Sequence, residues 1–177
     1  MRKLLVFGLV AAFVAAAAAT AVAGFNQNFG THLRGRTEVP ARDTQAQGQA
    51  LFHLSDDGQS MDYKLIAANI ENAFMAHIHI GPATGTGPIA VWLFPGTAAT
   101  PIPLADAQGR IDGVIAEGTF TAANFVGPLA GHPMSDLVAA IDNENAYVNI
   151  HTNDNVAPTN TGPGDFPGGE IRAQLVK

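Results

Sequence analysis

The sequence predicts a mainly β domain, an antiparallel β-sandwich or flattened barrel of about eight strands with one or two short helices. Short stretches in which apolar and polar residues alternate recur along the chain, as expected of strands with one buried face. Glycine, proline and Asp-Gly turn signals separate these stretches. Strand and helix patterns do not alternate regularly, which argues against a parallel α/β sheet.

The first strands are predicted from alternation that stops at a turn signal. We expect an opening strand over residues 33–39, which ends at Pro40, and further strands over 48–54 and 61–67. Asp57-Gly58 lies between the second and third strands and is a strong hairpin signal. These two strands are therefore expected to pair.

The next strand ends in the segment 75–81, which contains a His-Ile-His sequence. The glycine- and proline-rich segment 81–88 lacks the Lys-Ser/Thr ending of a phosphate loop, so we interpret it as a connection. Residues 89–94 are nearly all apolar and predict a strand buried on both faces, with Trp92 in the core. Residues 95–103 are expected to form a loop.

The second half of the chain adds helix signals to the strand pattern. Gly113 is expected to form a bulge in a strand. Thr121 is predicted to cap a short helix, and Ser135 is predicted to cap the best-defined helix. In chain order we expect a strand over 110–120, helices over 122–126 and 135–141, a strand over 147–152, a loop over 153–167 and a strand over 170–176.

Residues 1–23 predict an export signal. A basic start precedes an alanine-rich apolar run, and the Ala-x-Ala sequence at 21–23 is typical of a cleavage site. An uncleaved membrane anchor is the alternative, because the run approaches the ~20 residues that span a bilayer. Cleavage would leave a polar lead-in over 24–30 and one domain over 31–177, secreted or periplasmic and without a membrane span.

Composition excludes several classes of function. The net charge is −6 and the Lys and Arg residues are scattered, so the chain lacks the basic patch that nucleic-acid binding needs. The chain contains no cysteine, which excludes disulfides and thiol chemistry. It also lacks the Gly-x-Ser-x-Gly sequence of a nucleophile elbow. An enzyme would therefore depend on a metal, and we favour a protein that is not an enzyme.

Three histidines are the candidate metal ligands. Alternate side chains of a strand share a face, so Met75, His77 and His79 point away from the apolar residues between them. His151 takes the polar face of its own strand. If the strands are neighbours, the three imidazoles can bind copper or zinc, and Met75 would add a thioether suited to copper. Glu170 could be a fourth ligand or accept a hydrogen bond from an imidazole N–H.

Other polar residues would share this face, namely Tyr147, Asn149 and Arg172. Glu170 and Arg172 could bind an anion or a sugar, although a solvated strand face is the favoured interpretation unless the histidines prove to be neighbours. The three histidines could also bond loop carbonyls in a purely structural role. The remaining histidines are expected on the surface: His32, His53 and His132.

Five motifs occur together in this chain. They are Leu33-x-Gly35-x-x-Glu38-Val39-Pro40, Ala76-His77-Ile78-His79, Gly85-x-Gly87 before an apolar strand, Tyr147-Val148-Asn149-Ile150-His151-Thr152, and Pro167-Gly168-Gly169-Glu170-Ile171-Arg172. In this combination the chain resembles the chordin-type (CHRD) domain family over about residues 31–176. Ala173 departs from the familiar ending, which has Gly after the Ile-Arg pair.

The resemblance implies a secreted, compact β domain and no established reaction. In chordin, repeated copies accompany cysteine-rich modules that engage growth factors; this chain has one copy and no such modules, so growth-factor binding does not carry over. We therefore expect an exported, non-catalytic binding or structural module for an unidentified extracellular or envelope ligand. The alternative is a copper or zinc protein with redox chemistry, because the His-x-His pair with a distant histidine is similar to copper–zinc superoxide dismutase. The further ligands and the disulfide of that enzyme are not recognisable here.

Overall fold

The computed structural model describes residues 27–97 and 101–177. The described residues contain eight strands, one α-helix and three short 3-10 helices. The strands are β1 (Gln27–Arg34), β2 (Gln47–Leu54), β3 (Ser60–Glu71), β4 (Ala73–Ile80), β5 (Ile89–Phe94), β6 (Arg110–Thr121), β7 (Ala146–Thr152) and β8 (Ile171–Gln174). The α-helix, α1, is Met134–Asp142, and the 3-10 helices are Gly35–Thr37, Ala122–Asn124 and Gly127–Leu129.

All eight strands belong to one antiparallel sheet in the order β5-β4-β7-β8-β1-β2-β3-β6. The sheet curls until its two outer strands, β5 and β6, contact each other. The Tyr63 hydroxyl on β3 donates a hydrogen bond of 2.7 Å to the Leu93 carbonyl on β5, which links the two ends of the sheet. The predicted fold class is therefore confirmed, as a nearly closed barrel.

The alternation that predicted the strands also orients them. Ala50, Phe52 and Leu54 of β2 are buried, and their alternates Leu51 and His53 are exposed. The same alternation turns Ile78 of β4 and Ile150 of β7 fully into the core. Gly113 has a φ of +136° and pairs with Ala67 between two register shifts of the β3–β6 pair, so the irregularities lie on either side of Gly113 and not at the predicted residue itself.

The opening strand lies earlier than predicted. β1 ends at Arg34, and the segment expected to continue it turns into the 3-10 helix Gly35–Thr37. Gly35 has no room for a side chain, because a Cβ there would lie 2.6 Å from the Arg42 carbonyl oxygen. The same turn is closed by a hydrogen bond of 2.8 Å from the Arg42 N–H to the Gly35 carbonyl. Alternation over 33–39 was therefore misleading, since its second half packs as a turn.

The helix predictions were partly wrong. The α-helix begins at Met134 with Pro133 in the N-cap position, and Ser135, the predicted cap, lies inside its first turn. Proline suits this helix start because its missing N–H would have no partner there in any case. Thr121 does cap a helix, by accepting a hydrogen bond from the Ala123 N–H, but that helix is a single 3-10 turn. The final strand, β8, is also shorter than the predicted 170–176.

The predicted export signal over 1–23 and residues 24–26 of the lead-in lie outside the described residues, as do residues 98–100 of the predicted loop over 95–103. The rest of the lead-in, residues 27–30, belongs to β1. Within the described ranges, none of the helices combines the length and the apolar character needed to cross a membrane.

Replacing Ile78 or Ile150 by Ala should lower the free energy of unfolding by about 2–5 kcal/mol, because each side chain is fully buried and its truncation leaves a cavity. Urea denaturation of the two variants would measure the loss. Val114→Ala is the control: Val114 lies on β6 with 51% of its surface exposed, and the change should stay within about 0.5 kcal/mol. Losses below about 1 kcal/mol at both isoleucines would contradict this orientation of the strands.

Candidate metal centre

The pairing of β4 with β7 builds the candidate site on the outer face of the barrel wall. Met75 lies opposite His151, His77 opposite Asn149 and His79 opposite Tyr147. On either side, β8 places Arg172 opposite Asn149, and β5 places Trp92 opposite His77. Directly opposed residues of antiparallel strands share a face. The sheet thus gathers the polar alternates of three strands into one patch.

The three candidate histidines are neighbours in this patch. Each offers a ring nitrogen within 4.8 Å of those offered by the other two. His77 Nδ1 lies 3.2 Å from His151 Nε2, and the ring centroids are 5.0–6.0 Å apart. All three side chains are buried, with His77 fully inaccessible to solvent. In the described part of the chain this is the one such group of His, Cys, Asp or Glu residues.

Two backbone carbonyls fix the proton positions of the cluster. His79 Nδ1 lies 2.8 Å from the Gly87 carbonyl oxygen, and His151 Nδ1 lies 2.9 Å from the Pro167 carbonyl oxygen. A carbonyl can only accept, so both Nδ1 atoms carry the proton, and in the neutral ring both Nε2 atoms present a lone pair. His151 Nε2 must then accept from His77 Nδ1, which leaves a lone pair on His77 Nε2 as well.

Burial keeps these rings neutral. It lowers the pKa of His77 to about 2, with charge repulsion from His151 and His79 as the smaller causes. Burial likewise lowers the pKa of His151 to about 4, against the hydrogen bond to Pro167, which raises it. The pKa of His79 is lowered by burial too, while its bond to Gly87 opposes the shift. Neutral imidazole is the form that binds metal ions.

Loops cover the patch, and Glu170 and Arg172 are both buried. The solvated strand face was favoured from the sequence unless the histidines proved to be neighbours; they are neighbours, and the face is not solvated at these two residues. The Arg172 guanidinium donates hydrogen bonds of 2.7 Å to the carbonyls of Pro82 and Gly85 in the 81–88 loop. In the same loop the Gly87 N–H donates to the Tyr147 hydroxyl at 3.0 Å. The predicted connection therefore closes over the histidines and is fixed there.

Arg172, Tyr147 and His79 form a stack beneath this loop. The guanidinium lies over the Tyr147 ring, 3.4 Å from its centroid. On the next layer the Tyr147 and His79 rings are parallel within 3° with centroids 4.8 Å apart. The stack and the Gly87 carbonyl together hold His79 in one orientation, as partners of ligating histidines do.

Glu170, predicted as a fourth ligand or as an acceptor for an imidazole N–H, has other partners. Its carboxylate accepts hydrogen bonds from the Thr44 hydroxyl at 2.5 Å, the Thr152 hydroxyl at 2.7 Å and the Gly164 N–H at 2.9 Å. It lies outside the group of three histidines. Glu170 lies in the turn immediately before β8. Its hydrogen bond from the Gly164 N–H anchors the 153–170 segment at that end of the strand. Met75 is half-buried on β4, opposite His151.

Two residues of this region were not expected from the sequence. Glu38 is buried beside Asn149, whose amide also lies next to His79, and burial raises the pKa of Glu38. Glu38 belongs to one of the motifs that carry the family resemblance, but the sequence predicted no role for it. Trp92 was expected in the core but is half-buried on the polar face, with its ring centroid 4.2 Å from that of His77. Because nearly every residue of this strand is apolar, the sequence does not show which face of the strand lies against the histidines.

Four buried polar atoms in or beside the patch have no hydrogen-bond partner among the residues that the structure describes: Glu38 Oε1, His77 Nε2, His79 Nε2 and Asn149 Oδ1. All four can act as acceptors, and two of them are the lone pairs of candidate ligands. Native proteins rarely leave such atoms unpaired, so they point to a missing cation or donor. The three other histidines are exposed, as predicted: His32, His53 and His132.

A family model described as CHRD domain matches residues 29–158 of the chain. No curated protein and no solved structure matches it. The matched range begins inside β1 and extends past the end of β7, and it therefore contains all three histidines and the 81–88 loop. Arg172 and β8, which complete the patch, lie beyond it.

Without metal, the protein should lose stability as the pH falls below about 6.5. Unfolded chains protonate histidine near 6.5, whereas the folded protein keeps His151 and His77 neutral until about 4 and about 2. The stabilisation from neutral rings is complete above 6.5 and is lost as the pH falls toward those values, by roughly 1.4 kcal/mol per pH unit for each ring. Urea denaturation in EDTA across this range would measure the slope.

His77→Gln should flatten that slope, because it removes one ring whose protonation the fold resists. His32→Gln is the matched control, since His32 is exposed and should leave the slope unchanged. Equal slopes for the wild type and His77→Gln would contradict the neutral, buried state of this histidine.

Gly87→Ala should destabilise the protein by about 1–3 kcal/mol, because the new Cβ would overlap the Ile80 carbonyl and force the loop away from His79. Gly85→Ala is a control in the same loop: its Cβ would meet only Pro82, at 3.5 Å, and should be tolerated. Chemical denaturation compares the two. Equal stability for both variants would contradict the tight seating of the loop at Gly87.

Proposed function

The chain belongs to the CHRD domain family, and on that premise we propose that it is a metal-binding β-domain module whose site is formed by His77, His79 and His151. The metal is copper or zinc. The module is exported and acts in the secreted or periplasmic compartment, where it binds its ion without turning over a substrate.

The proposal rests on two unpaired acceptor atoms, His77 Nε2 and His79 Nε2. Both atoms are buried without a hydrogen-bond partner, within a cluster of three neutral rings. Burying two unpaired acceptors together costs free energy unless a donor or cation joins them. A metal ion would satisfy both at once, and it would take the His151 Nε2 lone pair in place of the hydrogen bond from His77 Nδ1.

The chemistry of the ligand set favours copper or zinc. Imidazole nitrogen binds both ions, and three histidines leave a further coordination position at zinc. Met75, opposite His151 on the same face, is the candidate for an additional soft ligand to copper. Asn149 presents an unpaired carbonyl oxygen on that face and is a second candidate.

Burial favours a binding role over catalysis. His77 is fully inaccessible and the other two rings are less than one tenth exposed. The 81–88 loop and the 153–170 segment each supply a carbonyl oxygen that accepts a hydrogen bond from a histidine. A substrate would have to displace these segments, whereas an ion held for stability or transfer needs only a brief opening.

Isothermal titration of the untagged protein with Zn(II) and Cu(II) would test the proposal. We expect one ion per chain, and an affinity at least about tenfold weaker in each of His77→Ala, His79→Ala and His151→Ala, because residues that merely orient ligands already contribute that much. His32→Ala is the control, and circular dichroism checks that each variant folds.

Failure of the wild type to bind Zn(II), Cu(II) and, in the absence of oxygen, Cu(I) at micromolar metal would overturn the proposal. The histidines would then serve only as hydrogen-bonded supports for the two loops. Binding that persists unchanged in all three variants would place the metal elsewhere and would equally overturn it.

A further inference from the structure

We propose that the three-histidine site selects monovalent copper, Cu(I), over the dications Cu(II) and Zn(II). This inference rests on the proposed metal-binding function and adds the charge of the preferred ion. Two features carry it: a ligand set with no negative charge, and a buried guanidinium fixed beside it.

The ligand set is neutral. The three ring nitrogens are the ligand atoms of the group, and no carboxylate belongs to it. An ion at this position therefore brings its full charge into a buried environment. The cost of burying an ion rises steeply with its charge, so a dication without an anionic ligand is disfavoured more than a monocation.

Arg172 adds a fixed positive charge. Arginine stays protonated in proteins, and this guanidinium is 1% exposed. It lies over Tyr147, which itself stacks on His79, so only one aromatic ring separates it from a candidate ligand. The carbonyls of Pro82 and Gly85 hold it in place. Its repulsion of a bound ion is proportional to that ion's charge and is twice as large for a dication.

Neither of the two nearby carboxyl groups supplies a ligand atom. Both oxygens of Glu170 accept hydrogen bonds from other partners, namely Thr44, Thr152 and Gly164. Glu38 lies beside Asn149 and is buried; burial raises its pKa, and the charges of Arg172 and Arg42 oppose that shift. Neither carboxyl group belongs to the ligand group, so a bound ion would be held by three neutral rings beside the Arg172 cation.

The number of available ligands also favours Cu(I) over Zn(II). Zinc in proteins is almost always four-coordinate, and the group supplies three nitrogens. Cu(I) is stable with three ligands, and a soft thioether such as that of Met75 suits it as an addition.

The wild-type protein gives the first test. Cu(I) affinity is measured without oxygen by competition with bicinchoninate, and Zn(II) affinity by competition with a chromophoric chelator. We expect Cu(I) to bind at least about tenfold more tightly, the scale expected when one extra unit of charge is repelled by a nearby like charge at an effective dielectric constant of ~20. The reduction potential of the copper-loaded protein should exceed that of aqueous copper.

Arg172→Gln tests the origin of the selectivity. Removing the guanidinium should raise Cu(II) affinity relative to Cu(I) by about tenfold, which lowers the potential by ~59 mV. Arg110→Gln removes the same charge from an exposed site on β6 and should leave the potential unchanged. If the role of Arg172 were purely structural, its replacement would weaken the binding of Cu(I) and Cu(II) equally and leave the reduction potential unchanged.

The outcomes separate the two proposals. Failure of the wild type to bind any of the three ions would overturn the metal-binding function itself. Binding of Zn(II) or Cu(II) as tight as that of Cu(I) would leave that function standing and overturn the selectivity. An unchanged potential in a folded Arg172→Gln variant would overturn the role of Arg172, and if the variant does not fold, the wild-type comparison still decides the selectivity.

Discussion

The hydrogen bonds from His79 and His151 to two backbone carbonyls are the interactions on which the rest of the site depends. They fix the proton of both rings on Nδ1 and leave both Nε2 atoms as acceptors, of which that of His151 accepts from His77 Nδ1 and that of His79 is unpaired. Because the carbonyls belong to separate loops, each loop has to be in place before the cluster reaches this state. Burial then keeps the rings neutral, so the folded protein presents imidazoles that can bind a metal ion rather than protonated rings that cannot.

The barrel explains why a buried polar patch can exist on the outside of a sheet. Its interior is filled by the apolar alternates, so the polar alternates of β4, β7 and β8 must face outward. Two long connections fold back over that face and are fixed by the Arg172 guanidinium and the Glu170 carboxylate. The patch is thus a second, polar interior between the barrel wall and its loops, in which an unpaired acceptor is costly.

The sequence predicted the barrel and the residues that form the patch better than it predicted what surrounds those residues. A period of two residues fixes which side chains share a face, so His77, His79 and His151 could be grouped once the strands were recognised. Periodicity says nothing about what covers a face, which is why Arg172 was expected in solvent. The role of Glu170 was hidden for a related reason: it stands at a strand end, where the turn and not the alternation sets the side-chain direction.

Nitrogen-15 NMR of the imidazole rings tests the central claim most directly, because Zn(II) and Cu(I) are both diamagnetic. The account predicts that His79 and His151 of the metal-free protein are neutral and protonated at Nδ1 near pH 7. One equivalent of metal should then shift the ring-nitrogen resonances of His77, His79 and His151 and leave those of His32, His53 and His132 in place. Rings protonated at Nε2, or metal-induced shifts confined to the three exposed histidines, would contradict it.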